Sequence, residues 1–227
     1  MINLLKRLAS HFPQRYQQEL KRLHFHRKIK KGRFYTEEPE FSRLAGWIKA
    51  GDWVLDVGAN IGHYTVRFSE IAGATGRVIS LEPVPATFEL LAANASQCRH
   101  RNISLLNVAA STETKMLQMA VPTFDTGLTD YYRAEVTEAG GELSVMSISI
   151  DSLNISQPVS LVKIDVEGHE IHALRGMAKL LRRDHPRIIV EGNSEEVAGF
   201  LKSLDYSFEE LDNSPNRVFF IPNKNTD

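Results

Sequence analysis

The sequence predicts an α/β fold, a largely parallel sheet with helices packed on both faces. Three observations carry this. From residue 53 onward, short apolar runs alternate with segments of helical period, the pattern of a parallel sheet and its crossovers. A glycine-rich turn, DVGANIGHYT at 56–65, joins the first apolar run to the first helix of that series. Near the end, two apolar runs are separated only by DNSPN, a link so short that it demands an antiparallel hairpin.

Composition sets the bounds. The chain has 227 residues, is 42% hydrophobic and 24% charged, and carries a net charge of -1. That is an ordinary globular composition, sized for one large domain or one domain with an appendage. A single cysteine, Cys98, excludes a disulfide framework and a Cys-rich zinc site. No apolar run approaches the length of about 18 residues that crosses a bilayer. Lys6 and Arg7 interrupt the opening MINLLKRLASHF before a signal-peptide core can form, so a cytoplasmic location is expected. Charge is uneven: residues 1–36 hold ten Lys/Arg and one Asp/Glu, a balance of +9 that leaves -10 on the remainder. Such a segment is either a helix with a solvated basic face or an arm that meets an anionic substrate, lipid surface or acidic partner. No module for specific nucleic-acid recognition accompanies it.

The elements follow in order. Pro13 separates candidate helices at 2–11 and 14–30, and Gly32 ends the second. A further helix is expected over 38–49, with Thr36 as its cap. Gly51 and Asp52 form a turn, so residues 1–50 read as a basic helical extension and 51–227 as the main domain. The nearly continuous apolar run 53–57 is a buried strand, and 61–71 its helix. Strand 77–81, helix 85–97 and strand 103–109 continue the alternation. It then lapses. Residues 114–121 and 143–150 read as strands, and the polar stretch 122–141 as an inserted loop over the sheet. It resumes with strand 161–164, a helix over 169–183 stopped by Asp184, His185 and Pro186, and strand 187–191. Asn193 and Glu196 have capping-box spacing for a helix reaching Ser203. Strands 206–211 and 217–221 form the closing hairpin.

The glycine turn carries chemistry. Gly58 lets the chain leave the strand sharply and lets a ligand approach the backbone, and Gly62 lets the following helix sit close to the strand. The helix N-terminus offers N–H groups. Twenty residues after Gly62 stands Glu82, at the end of the second strand, where a carboxylate can accept both hydroxyls of a ribose. The pattern is D-x-G-x-x-x-G, not the dinucleotide G-x-G-x-x-G. Asp56 would repel a pyrophosphate but suits a nucleoside that bears a sulfonium and an ammonium group, which favours S-adenosylmethionine over NAD.

A second acidic cluster, LVKIDVEGHE at 161–170, follows the fourth strand of the alternating series. Asp165 and Glu167 therefore share the sheet edge with Gly58 and Glu82. Glu170 lies in the first helical turn, where a negative charge suits the dipole. His169 is either a base for an acceptor hydroxyl or a solvent-facing helix residue. His63 lies beside the glycine turn. Asp165, Glu191 and Asn193 stand at neighbouring strand ends and offer oxygen ligands of the kind that hold Mg²⁺ or Ca²⁺. A helix cap accounts for Asn193 more simply, and no metal is assigned.

Together, DVGANIGHYT, LEP at 81–83, DSL at 151–153, and KIDVEGHE followed by LRG at 174–176 resemble the FkbM-type methyltransferases in order and spacing. The likeness runs from about residue 51 to 221 and leaves the basic N-terminal region outside it. It implies a Rossmann-like, seven-stranded sheet whose last strand is antiparallel, with a β insertion after strand 3. It also implies an S-adenosylmethionine-dependent O-methyltransferase acting on a sugar, glycan or related small metabolite. By that likeness the cofactor touches Asp56, Gly58, Asn60, Gly62 and Glu82, while Asn107 and Ala109 edge the adenine. Asp165 faces the methyl-transfer centre, with Glu167 in support. The loop 122–141, with Tyr131 and Tyr132, shapes the acceptor pocket.

The expected reaction is an in-line displacement at the methyl carbon, helped chiefly by positioning, with His169, Asp165 or Glu191 removing the hydroxyl proton. Two rivals remain at this stage. One is a methyltransferase of protein, lipid or RNA, supported only by the basic arm. The other is a non-catalytic partner that keeps the fold. Oligomeric state is open.

Overall fold

The computed structural model describes residues 13–122, 134–137 and 140–222. The expected helix at 2–11 and most of the loop 122–141, including Tyr131 and Tyr132, lie outside the described residues. Helix α1 (Gln14–Lys30) and helix α2 (Pro39–Trp47) precede the sheet. Strand β1 (Trp53–Val57), helix α3 (His63–Ala72), strand β2 (Arg77–Leu81), helix α4 (Pro85–Ala95) and strand β3 (Ile103–Leu106) follow. The insertion comprises β4 (Ala109–Ala110), β5 (Lys115–Ala120), β6 (Glu135–Val136) and β7 (Leu143–Ile148). The chain then runs through β8 (Val159–Ile164), α5 (Glu170–Arg175), α6 (Ala178–Asp184), β9 (Arg187–Glu191), α7 (Glu195–Lys202), β10 (Ser207–Glu210) and β11 (Asn216–Phe220).

Seven strands form the main sheet, in the order β10-β11-β9-β8-β1-β2-β3. Strand β11 is antiparallel to both of its neighbours, and the pairs β9–β8, β8–β1, β1–β2 and β2–β3 are parallel. This is the architecture expected from the sequence. The inserted strands form their own four-stranded sheet, β4-β7-β5-β6. Among the described residues, no helix is long and apolar enough to cross a membrane.

Strand alternation divides the core. Leu55, Val57, Val162, Ile164, Ile188 and Val190 point to the face covered by α5, α6 and α7 through Leu174, Leu181 and Leu201. Their sequence neighbours Val54, Leu161 and Ile189 point to the other face, against Phe41, Leu44 and Ile48 from α2 and its end and Tyr64 and Phe68 from α3. Each fully buried side chain of this size favours the fold by about 1.5–3 kcal/mol. Helix α2 thus shares one core with the sheet.

Local differences from expectation have physical causes. Helix α2 begins at Pro39, with Glu38 at the N-cap, and it ends at Trp47 because Ile48 turns extended. Thr36 does not cap it; its hydroxyl donates to the Glu38 carboxylate. The expected helix 169–183 is two helices. At the break, the Gly176 carbonyl accepts from the Asp151 N–H and the Ser149 hydroxyl. The Asp151 carboxylate in turn accepts from the N–H groups of Lys179 and Leu180, capping α6 from outside. A Cβ on Gly176 would lie 1.9 Å from the Ser111 carbonyl oxygen. Helix α7 is capped by Ser194, which accepts from the Val197 N–H, and not by Asn193. Strand β3 stops at Leu106, and Ala109 belongs to the inserted sheet.

Candidate functional site

The loops after β1, β2 and β8 meet the inserted sheet around a cleft that opens to solvent. Gly58, Asn60, Glu82, Ala109, Asp165 and His169 line it. Of the other residues singled out in the sequence, Asp56, Gly62, Asn107 and Glu191 are not among the lining residues. Val84, Val108, Ala110 and Met119 add an apolar wall that sequence reasoning missed.

The glycine turn is held shut by the chain itself. Gly58 sits at φ +78°, and a Cβ there would lie 1.7 Å from the Asp165 carbonyl oxygen. The close approach that demands glycine is therefore between the ends of β1 and β8. Gly62, at φ +92°, faces Leu91 of α4 at 2.7 Å from a would-be Cβ, so it allows helix–helix rather than helix–strand proximity. The turn's N–H groups are engaged: those of Gly58 and Ala59 donate to the Leu81 carbonyl, and that of Gly62 to Ala59. The Asn60 N–H donates to Glu82 and that of Ile61 to the Asn60 side chain. The N–H groups expected to be free at the start of the helix are thus engaged over 58–62.

Glu82 is buried, and each carboxylate oxygen accepts one backbone N–H, from Asn60 and Val84, both at 2.9 Å. Burial raises its pKa to about 7 against the pull of those two donors. Asn107 donates to the carbonyls of Glu82 and Pro83 at 2.8 and 3.0 Å, bracing the turn that presents Glu82. Asp56 lies beneath the turn, accepts from the Thr65 hydroxyl, and is raised to about 6 by burial.

At the other side of the cleft, Asp165, Glu167 and Glu191 each bring one carboxylate oxygen within 4.8 Å of the others. Glu191 is pushed up by its hydrogen bond to Asp165 and by burial, so it holds a proton near neutrality. The counter-charge is Lys163, 2% exposed, with Nζ 3.6 Å from Asp165 Oδ2. The three carboxylates outnumber this one cation, and no metal is assigned. The Asn193 carbonyl accepts from Arg217 at 3.2 Å. Glu167 has φ +47° and is followed by Gly168 at +85°, a strained turn of the kind found at ligand sites. His169 stacks on His172 at 4.4 Å between centroids, and its Nε2 lies 3.0 Å from the Ser111 hydroxyl. Burial lowers its pKa to about 4, so the ring is neutral at pH 7.

The largest omission of the sequence reading is polar and buried. Lys163 donates to Asn216 Oδ1 at 3.0 Å, and Asn216 donates to Glu40 and, at 3.3 Å, to Glu38. The signal was available in part: Lys163 is a charge within an otherwise apolar strand.

Known proteins of this kind supply the comparison. A family model described as a methyltransferase FkbM domain matches residues 56–213. The hexuronic acid methyltransferase AglP of Haloferax volcanii is 30% identical over 134 residues, 58% of this chain and 52% of that protein. The crystal structure of methyltransferase FkbM from Methylobacillus flagellatus superposes with a TM-score of 0.58 at 17% identity, covering 96% of this chain and 57% of that one. SMU.1697c of Streptococcus mutans, solved in complex with SAH, superposes at 0.50 and 12% identity, covering 81% and 96%. At these identities the two solved structures show the fold alone. The chain spans little more than half the length of the first two relatives. With a match that extends over most of its length and takes in the glycine turn, Glu82 and the Asp165 cluster, the chain belongs to the FkbM methyltransferase domain family.

Proposed function

We propose that the chain binds S-adenosylmethionine in this cleft and serves the transfer of its methyl group to a hydroxyl of a sugar, glycan or related metabolite. One observation carries the reading: a buried carboxylate, Glu82, at the carboxyl end of β2, lining the cleft beside an apolar wall. Each of its oxygens keeps a lone pair beyond the backbone bond it accepts, so it can receive the two hydroxyl hydrogens of a ribose. Val84, Val108 and Ala109 suit the faces of a flat base. The engaged N–H groups of residues 58–62 disfavour a pyrophosphate, which needs such donors open. The acidic surroundings favour a cationic ligand. The sugar substrate named for the Haloferax relative, and the ligand in the Streptococcus complex, agree with this choice.

When bound, S-adenosylmethionine supplies a sulfonium methyl group to an attacking oxygen, with S-adenosylhomocysteine as the product. The chain's own residues do the rest. Glu82 and the wall fix the donor, and the cleft walls hold the acceptor in line. Asp165, 3.6 Å from Lys163 Nζ, accepts the acceptor's hydroxyl and takes its proton as the new bond forms. Glu191 already holds a proton near neutrality and so stabilises Asp165 instead of competing for that role. His169 is neutral but binds a proton only weakly, which leaves it to orient groups through Ser111.

The experiment is release of S-adenosylhomocysteine across a panel of sugars and glycans, with native chain and Asp165→Ala. Turnover on a hydroxylated acceptor, reduced about 10²-fold or more in the variant, is the expected result. Cofactor binding with no release on any hydroxylated acceptor would contradict the oxygen-transfer part of the proposal.

A further inference from the structure

We propose that Lys163 is a positioning residue for the methyl-transfer centre, and that Glu38, Glu40 and Asn216, which lie outside the family-matched segment, complete the site by holding it. The inference rests on the reading of Asp165 given above.

Strand alternation places Lys163 on the same face as Leu161, under α2 and α3, where water does not reach it. A buried ammonium is costly unless its donors are satisfied. Three groups meet it: Asn216 Oδ1 at 3.0 Å, Asp165 Oδ2 at 3.6 Å, and the ring face of Tyr64, whose centroid is 5.4 Å away. An Asn that accepts with its oxygen must place its two N–H donors elsewhere. Those of Asn216 go to Glu40 and Glu38. The Tyr64 hydroxyl donates to the same two carboxylates, and the Ser214 hydroxyl donates to Glu40 at 2.7 Å while accepting the Asn216 N–H. Glu40 is fully buried. The chain of contacts is directional throughout, from the entry of α2 to the edge of the cleft.

Apolar side chains could fill this space at no cost to stability. What they could not do is fix a positive charge under Asp165. The groups that act on Asp165 are otherwise acidic: Glu191 hydrogen-bonds to it, Glu167 completes the cluster, and Asp56 and Glu82 repel it from beneath the glycine turn. Lys163 is the positive charge that offsets these acidic neighbours at Asp165. Residues 38–40 and 216 thus belong to the working site, although they lie on either side of the matched span 56–213.

The test is a ¹³C NMR titration of carboxyl-labelled full-length chain, with no donor or acceptor added. Asp165→Asn and Glu191→Gln assign the two carbons. Lys163→Gln, which loses the charge but keeps a hydrogen bond to Asn216, should raise the lower step of the Asp165–Glu191 pair by about one to three pH units. Asn216→Ala, which removes the contact that holds Lys163 and leaves every charge in place, should move the same step upward as well, by less. A folded Lys163→Gln chain with an unchanged step would overturn the proposal. So would an unchanged step in a folded Asn216→Ala chain. Should Lys163→Gln not fold, Asn216→Ala decides alone: an upward shift supports the proposal, and no shift or a downward one sinks it. Titration of the same samples with S-adenosylmethionine separates the two readings, since failure to bind would remove the proposed function and leave the Lys163–Asp165 pairing standing.

Discussion

Gly58 shows how one residue can join two parts of a site. Its missing side chain leaves room for the Asp165 carbonyl, so the turn that carries Asn60 and the turn that carries Asp165 are in register with each other. Gly58→Ala should therefore cost about 2–4 kcal/mol, from strain at positive φ plus the clash, read as a lowered urea midpoint. A midpoint within about 0.5 kcal/mol of native would mean that the two turns do not touch as described. The need for glycine at 58 was legible, because an acid, two glycines and a following helix form a local pattern. The partner was not, since Asp165 lies more than a hundred residues away and no periodicity connects them. The same holds for Lys163: its charge stood out in the strand, but Glu40 and Asn216 come from opposite ends of the chain.

At the scale of elements, Asp151 and Gly176 work as a pair. The DSL segment forms a short 3-10 turn, Ile150–Leu153, and its aspartate caps α6 through two backbone donors. Asp151→Ala removes that cap and should cost about 0.5–2 kcal/mol with cofactor affinity nearly unchanged, as measured by thermal unfolding and calorimetry. A large loss of affinity with unaltered stability would point to a direct role at the cleft instead. The strands of the main sheet could be read from the sequence because both faces are buried and each run is short and apolar. The break between α5 and α6 could not, because local propensity favours one continuous helix. The break is made by tertiary contacts, the Ser111 carbonyl against Gly176 and the Asp151 carboxylate beyond it. Asn193 was misread as a cap for a similar reason: two adjacent polar residues both suit the position, and only Ser194 makes the bond.

For the whole molecule, charge burial predicts a pH dependence. Burial raises Asp56 to about 6 and Glu82 to about 7, so the fold favours their protonated forms. The stability they contribute is complete below their ordinary values near 4 and is lost as pH rises through 6 and 7. His63 and His169 are lowered from 6.5 to about 4, so they contribute above 6.5 and lose that contribution as pH falls toward 4. Between pH 6.5 and 8 the histidine contribution is flat and the carboxyl contribution falls. The ligand-free chain should therefore melt at a lower temperature at pH 8 than at pH 6.5, and Glu82→Gln should reduce that difference, with Glu191, also pushed up, supplying the remainder. An equal slope in the variant would mean that Glu82 is not the titrating group.

The central claim is that the cleft beside Glu82 is a nucleoside site. Calorimetric titration with S-adenosylmethionine and S-adenosylhomocysteine, comparing native chain with Glu82→Ala, tests it most directly. The account predicts binding of both by the native chain and an affinity at least about 10²-fold weaker in the folded variant, the loss of two hydrogen bonds to a buried carboxyl group. Binding that Glu82→Ala leaves intact would move the ribose elsewhere, and no binding by the folded native chain would contradict the claim outright.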